Sequence, residues 1–319
     1  MTQNGQNGKI KWTRKDLLGL RDLSAEEIEL ILDTAKSFSE VSQREVKKVP
    51  ALRGKTVVNL FLEPSTRTRV SFELAEKRLS ADTISMASAG SSMSKGESLW
   101  DTIANIEALK VDLIVMRHGS SGAPHRISTY TRCGLVNAGD GINEHPTQGL
   151  LDMFTLRELK GKIKGLKVVF VGDILHSRVA RSNVWGLTKL GAEVVICGPK
   201  TLIPWGIEEL GVKVVHDVKK AIDGADAVTL LRIQMERQNE TLFPSIREYA
   251  STFGLKTELF KLAKPDAILM HPGPINRGVE IESALADSPQ SYILKQVTNG
   301  IAVRMAVLYL LSGVIKNEK

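Results

Sequence analysis

Five consecutive residues, Ser65-Thr66-Arg67-Thr68-Arg69, place three hydroxyls and two guanidinium groups between an apolar run that ends at Glu63-Pro64 and the helical pattern of Val70, Phe72, Leu74, Ala75 and Leu79. Strand, turn and helix start meet there. A helix N-terminus presents unpaired N–H groups and a partial positive charge, which hydroxyls and guanidiniums extend into an anion cradle suited to phosphate. An N-cap with two surface arginines would account for one or two of these residues, not all five.

Further cations recur along the chain. Arg178 opens a helical stretch after Gly172-Asp173, where a cation opposes the helix dipole, so an anionic partner is expected. Arg232 reads as an anion ligand or as a surface arginine at a strand end. His145 reads as a loop histidine before Pro146 or as a site residue, its spacing to Gln148 at a helix start favouring the site. His118, His125, His176 and His216 are read as structural.

These residues need a scaffold. Ser24-x-x-Glu27 opens the periodic run Ile28, Leu32, Ala35 and Phe38, a capping box that starts the first long helix. Beyond it, short β-branched or apolar runs at 56–62, 112–116, 135–138, 167–171, 193–197, 225–230 and 266–270 are each followed by a helical stretch. That alternation predicts parallel sheets covered by helices on both faces. The final amphipathic run, 293–314, has no strand after it and could fold back on either half. Residues 168–173 run from a strand into Gly172-Asp173, yet the other glycines of a GxGxxG turn are missing, which argues against a dinucleotide cofactor.

Composition narrows the field. At 319 residues, 42% hydrophobic and 25% charged, the chain is long enough for about two domains. Cys133 and Cys197 lack CxxC or Cys/His ligand spacing, so neither a disulfide scaffold nor a metal site is expected, and a reducing compartment is. Residues 1–8 are polar and lack the apolar core of a signal peptide, so a cytoplasmic location is expected. The apolar run 301–311 is about half of the roughly 20 residues a bilayer crossing needs and contains Arg304, so it reads as a packed helix, not a membrane segment. The surplus of 43 Lys and Arg over 36 Asp and Glu gives +7, but aromatics are only 5% and no long basic block appears, which disfavours nucleic acid and leaves a pocket for small anions.

The run Phe61-Leu-Glu-Pro-Ser65-Thr-Arg-Thr-Arg69 resembles the carbamoyl-phosphate signature of the aspartate and ornithine transcarbamylases. The resemblance continues through Lys95-Gly-Glu97, Arg117-His118, His145-Pro-Thr-Gln148, Arg178, Leu231-Arg-Ile-Gln234 and His271-Pro-Gly-Pro274, nearly the whole chain. The ornithine enzymes carry a His-Cys-Leu-Pro segment and an Asp…Ser-Met-Gly loop, where this chain has His271-Pro272-Gly273-Pro274 and Leu231-Arg232-Ile-Gln234. An arginine in place of a second carboxylate points to the aspartate branch.

The resemblance implies an α/β chain of two Rossmann-like domains, each a parallel sheet flanked by helices. Residues 1–146 would bind carbamoyl phosphate, with the C-terminal helix 293–319 returning to them, and 147–292 would bind aspartate. Ser65, Thr66, Arg67 and Thr68 would hold the phosphate, and Arg117 would bridge phosphate and carbonyl oxygens; Arg69 is left to structure. Thr68, Arg117 and His145 would stabilise the oxyanion, while Gln148 and the carbonyls of Gly273 and Pro274 would accept from the carbamoyl NH2. Arg178 and Arg232, with Gln234, would bind the aspartate carboxylates. Lys95, with Ser91 or Ser92, would reach a neighbouring subunit's site, making an active homotrimer. Glu63 would pair with Arg178 or Arg237 across the domains on closure. The implied reaction needs no metal or redox cofactor and no covalent enzyme intermediate. It yields N-carbamoyl-aspartate in pyrimidine synthesis, and regulatory or other pyrimidine-pathway subunits stay open as partners. A catalytically silent homologue, or a transcarbamylase for another amine, are the competing readings.

Overall fold

The computed structural model describes residues 10–87, 96–234 and 243–315; Ser91, Ser92, Lys95 and Arg237 lie outside the described residues. Helix α1 (Ala25–Val41) begins at the anticipated capping box, with both reciprocal bonds between Ser24 and Glu27 formed. A four-stranded sheet follows, built from β1 (Thr56–Phe61), β2 (Asp82–Ala87), β3 (Leu113–His118) and β4 (Gly134–Asp140), interleaved with α2 (Thr66–Arg78), α3 (Leu99–Ala108) and α4 (Ala123–Ser128). Helix α5 (Pro146–Lys160) leads to a five-stranded sheet of β5 (Lys167–Val171), β6 (Glu193–Cys197), β7 (Lys213–Val215), β8 (Ala227–Leu230) and β9 (Ile268–Met270). Around this sheet lie α6 (Arg178–Lys189), α7 (Val218–Ile222), α8 (Ile246–Thr252), α9 (Thr257–Phe260) and α10 (Ser283–Ala286), and α11 (Ile293–Ile315) closes the chain.

Every pairing between these strands is parallel. The strand orders are β2-β1-β3-β4 and β7-β6-β5-β8-β9. Each sheet therefore reverses its winding once, between β1 and β3 and between β5 and β8. In open α/β sheets the crevice beyond the carboxyl ends of the strands at such a reversal is where ligands bind. Strands β2 and β7, absent from the sequence expectation, are both edge strands. The opposite edges, β4 and β9, are buried along their length, whereas three of the four β2 residues from Asp82 to Ser85 sit at the surface or near it with polar side chains and β7 has only three residues, none fully buried, so neither spells a continuous aliphatic run.

Alternate residues of the central strands feed different cores. Val57 and Phe61 of β1, like Val168 and Phe170 of β5, enter one apolar core that runs through α1, α5, α6 and α11 and touches both sheets. Val58 and Leu60 face a smaller core under α3, and Val169 and Val171 another on the far side of the second sheet. The C-terminal helix is long and apolar enough to cross a membrane by length and composition alone, but most of it is buried inside the protein. It packs against α1, α2 and α5, so it returns to the first half and buries most of its apolar residues there.

Candidate active site

A cavity of about 550 Å³ opens where the carboxyl ends of both sheets face each other. Before the second sheet come Glu63 and the segment 64–68 after β1, Arg117 at the end of β3, and His145 and Gln148 at the start of α5. From the second come Ser177 and Arg178 at the start of α6, Leu231, Arg232 and Gln234 after β8, and the segment 271–274 after β9. All the anticipated site residues within the described regions thus line one cavity. Arg69 stays outside it, half exposed and 3.7 Å from Glu73 one helical turn on.

Local chemistry positions each group. Ser65 is the extended N-cap residue of α2, but its side chain makes no capping bond, which leaves the first turn's N–H groups for a ligand. Helix α6 is capped instead by Ser177, whose Oγ accepts from the Ala180 N–H at 3.1 Å. Arg178 follows it as the first helical residue, and its guanidinium is held by the Glu63 carboxylate, with Nη1 donating to Oε2 at 2.9 Å and Nη2 to Oε1 at 2.5 Å. Arg117 donates to the same Oε1 at 2.6 Å and to the Ala138 carbonyl at 3.2 Å. The anion expected beside Arg178 is therefore Glu63 in this state. Room for both arginines depends on Gly139 (φ +114°), where a Cβ would lie 3.0 Å from Arg178 Nε and 3.1 Å from Arg117 Nη1.

Five arginines, Arg67, Arg117, Arg178, Arg232 and Arg304, line the cavity with one carboxylate, Glu63, among the described residues. Partial burial and then the nearby Arg232 hold the Arg67 guanidinium below its ordinary value. That repulsion between cations from opposite sheets is relieved when an anion enters. Arg67 also packs over Gly273 (φ +68°), where a Cβ would fall 2.6 Å from Nη1.

Supports run behind the cavity wall. The His145 N–H donates to Ser182 Oγ at 2.9 Å, and Ser182 in turn donates to Glu144 at 2.9 Å. Asp173, fully buried at the end of β5, accepts from the Gln234 N–H at 3.2 Å and so pins the loop that carries Arg232. His271 Nδ1 accepts from the Gly273 N–H at 2.8 Å.

The sequence reading missed Ser71, His271, Gln296 and Arg304, all of which line the cavity. Arg304 carried a signal, since a charge inside an apolar helix needs a reason to be there. Its guanidinium is buried over the Phe72 ring, 5.1 Å from the centroid, and burial pulls its pKa down to about 10.

Residues 15–158 match the family model described as aspartate/ornithine carbamoyltransferase, carbamoyl-P binding domain, and 164–311 match the companion Asp/Orn binding domain. The chain is 59% identical over 309 residues to the aspartate carbamoyltransferase catalytic subunit of Syntrophotalea carbinolica, covering 97% of this chain and 99% of that one. It is 60% identical to the same subunit of Geobacter sulfurreducens, covering 94% and 96%. Among solved structures, ornithine carbamoyltransferase from Pyrococcus furiosus superimposes with a TM-score of 0.84 at 34% identity, covering 95% of this chain and 99% of that one. Aspartate transcarbamoylase from Trypanosoma cruzi in complex with N-(phosphonacetyl)-L-aspartic acid gives 0.84 at 26% identity, covering 93% and 96%.

Proposed function

The chain belongs to the aspartate/ornithine carbamoyltransferase family, and from that premise we infer that it transfers the carbamoyl group of carbamoyl phosphate to the amine of L-aspartate. The products are N-carbamoyl-L-aspartate and phosphate, and the reaction is the second step of de novo pyrimidine synthesis. One observation carries the choice of aspartate: Arg67 and Arg232, from opposite sheets, converge on a cavity lined, among the described residues, by five arginines and one carboxylate. Carbamoyl phosphate and aspartate together bring about four negative charges, which cannot be enclosed without paired cations. The cationic side chain of ornithine would add to the repulsion already acting between Arg67 and Arg232.

In this reading Ser65, Thr66, Arg67, Thr68 and the first turn of α2 hold the phosphate. Thr68, Arg117 and His145 direct donors at the carbonyl oxygen as it becomes an oxyanion, each worth roughly 3 to 4 kcal/mol in comparable sites. Gln148 and the carbonyls of Gly273 and Pro274 take the carbamoyl NH2, while Arg178, Arg232 and Gln234 take the aspartate carboxylates. The aspartate amine, once deprotonated, attacks the carbamoyl carbon, the C–O bond to phosphate breaks, and the leaving phosphate accepts the amine proton. Holding both reactants in line contributes roughly 7 to 11 kcal/mol. Glu63 orients both Arg117 and Arg178, leaving their other N–H groups to the substrates.

The same reading divides the chain at 146/147 into a carbamoyl-phosphate half, rejoined by the C-terminal helix, and an aspartate half. It makes the enzyme a cytoplasmic homotrimer in which Lys95 completes a neighbour's site. Mixing Arg67→Ala chains with Lys95→Ala chains tests the sharing: activity should return on subunit exchange, and hybrids that stay inactive would confine Lys95 to its own chain. The reaction itself is tested by incubating the protein with carbamoyl phosphate and either aspartate or ornithine and assaying ureido product by colour. Product from aspartate alone is expected. Product from ornithine alone overturns the assignment, and product from neither indicates a silent homologue.

A further inference from the structure

One turn beyond Gln148 on α5, behind the cavity wall, lies a carboxylate that none of these roles uses. Asp152 is fully buried and accepts from three side-chain amides on three helices. These are Gln148 Nε2 at 2.9 Å on α5, Asn183 Nδ2 at 2.7 Å on α6 and Gln296 Nε2 at 2.8 Å on α11. An ionised carboxylate can only accept, so each amide must turn its NH2 inward and its oxygen away. For Gln296 that oxygen accepts from the His271 N–H at 2.9 Å, which fixes the start of the 271–274 segment. For Gln148, the oxygen is the acceptor left to the cavity that this residue lines.

The choice of a carboxylate here is informative. A buried charge is unfavourable, and an asparagine of the same shape would fill the space while offering one acceptor and one donor group. Only a carboxylate accepts from all three amides: Gln148 and Gln296 share Oδ1 and Asn183 takes Oδ2, so an asparagine keeps the first two at best and a leucine none. Burial lifts its pKa to about 6, which leaves it ionised at neutral pH, with the Arg304 guanidinium favouring the charged form.

We propose that Asp152 is the positioning residue that makes the cavity selective for a carbamoyl group over other acyl phosphates, by fixing the amide of Gln148 with its oxygen toward the substrate NH2 and by steadying the 271–274 segment through Gln296. The proposal rests on the carbamoyl-transfer reading above. Carbamoyl and acetyl phosphate differ by NH2 against CH3, groups of similar size, so only hydrogen-bond acceptors tell them apart. A site whose acceptors are held in place rejects the analogue that leaves them unpaired.

The test compares the KM for carbamoyl phosphate with the inhibition constants of acetyl phosphate and inorganic phosphate, in the unmutated protein and in Asp152→Leu, which accepts from none of the three amides. The preference for carbamoyl over acetyl phosphate should fall by about 10- to 100-fold in the variant, the range of a lost hydrogen bond to a well-aimed group, while inorganic phosphate binds nearly as before. Gln148→Leu should lose the same preference, and the double variant Asp152→Leu/Gln148→Leu should lose little more than either alone. Equal weakening toward all three phosphates, or additive losses, would give Asp152 a merely structural role and overturn the proposal. A crystal structure of the unmutated protein with phosphonoacetamide reads the same point without a variant: Gln148 should contact the ligand NH2 while staying on Asp152, and a Gln148 swung away from either partner overturns it. Should the unmutated protein carry out no transfer, the function is at fault; should it transfer but treat both acyl phosphates alike, only the role of Asp152 is.

Discussion

Both oxygens of Glu63 face the fork of Arg178, at 2.9 Å and 2.5 Å, so a residue following the first strand of one sheet holds the first helical residue of the other. Arg117 shares the carboxylate at 2.6 Å. Glu63→Gln would keep the shape and remove the one carboxylate among the described lining residues. Breaking a buried ion pair costs about 3–5 kcal/mol when the remaining charge stays dry, and less where a cavity admits water. Aspartate KM and turnover should both worsen, by about 10- to 100-fold each at most, in steady-state kinetics at saturating carbamoyl phosphate. Unchanged values for both would leave Glu63 as a bystander.

Position 273 couples backbone conformation to the cradle. Gly273 has φ +68°, a region that costs an L-residue roughly 1–2 kcal/mol, and a Cβ there would press on Arg67 at 2.6 Å. Gly273→Ala should therefore lower stability by about 1–2 kcal/mol and displace a guanidinium from the phosphate site. Calorimetry should find carbamoyl phosphate and inorganic phosphate weakened together, because the fault lies with Arg67. A variant that binds inorganic phosphate normally would contradict this coupling.

The helix that carries Arg67 and Thr68 also buries Glu76, whose carboxylate accepts from Asn59 at 2.9 Å. Burial lifts its pKa from 4.5 to about 7. The native state then keeps a proton that the unfolded chain has released, so this group's contribution to stability is whole below about 4.5 and declines as pH rises through about 7. Relative to the unmutated protein, Glu76→Gln should gain up to about 3 kcal/mol between pH 4.5 and pH 8 in urea unfolding. A stability difference that is flat across that window would show Glu76 to be ionised in the fold.

How far the sequence could be read depended on where the information lay. Central strands such as 56–62 and 167–171 are covered on both faces and spell continuous apolar runs, whereas β2 and β7, at sheet edges, do not. Ser65 to Thr68, Arg117, His145, Arg178 and Arg232 stand at strand ends or helix starts, where an unusual residue type is visible against its local pattern. Asp152 and Gln296 sit inside helices, and their meaning comes from contacts between α5 and α11 that no local spacing encodes. Even so, Gln148 and Asp152 lie four residues apart on one helix face, and Arg304 interrupts an apolar run; polar residues at core positions were the available sign.

Asp152 itself permits a prediction that separates its two possible purposes. Its native pKa of about 6 lies above the ordinary 3.8, so the ionised side chain burdens the fold at neutral pH by roughly 3 kcal/mol. The sign follows from proton binding: below about pH 4 both states are protonated and the burden vanishes, and between about 4 and 6 the unfolded chain loses its proton first, so stability falls as pH rises. Asp152→Asn has no proton to lose. Measured by urea unfolding at a series of pH values, its stability relative to the unmutated protein should climb by up to about 3 kcal/mol from pH 4 to pH 7, whatever its absolute value at either end. A carboxylate kept for stability alone would show the opposite slope, with the variant falling behind as pH rises. The expected slope, combined with lost discrimination between carbamoyl and acetyl phosphate in Asp152→Leu, would mean that the fold tolerates a buried charge because the site needs its amides turned the same way.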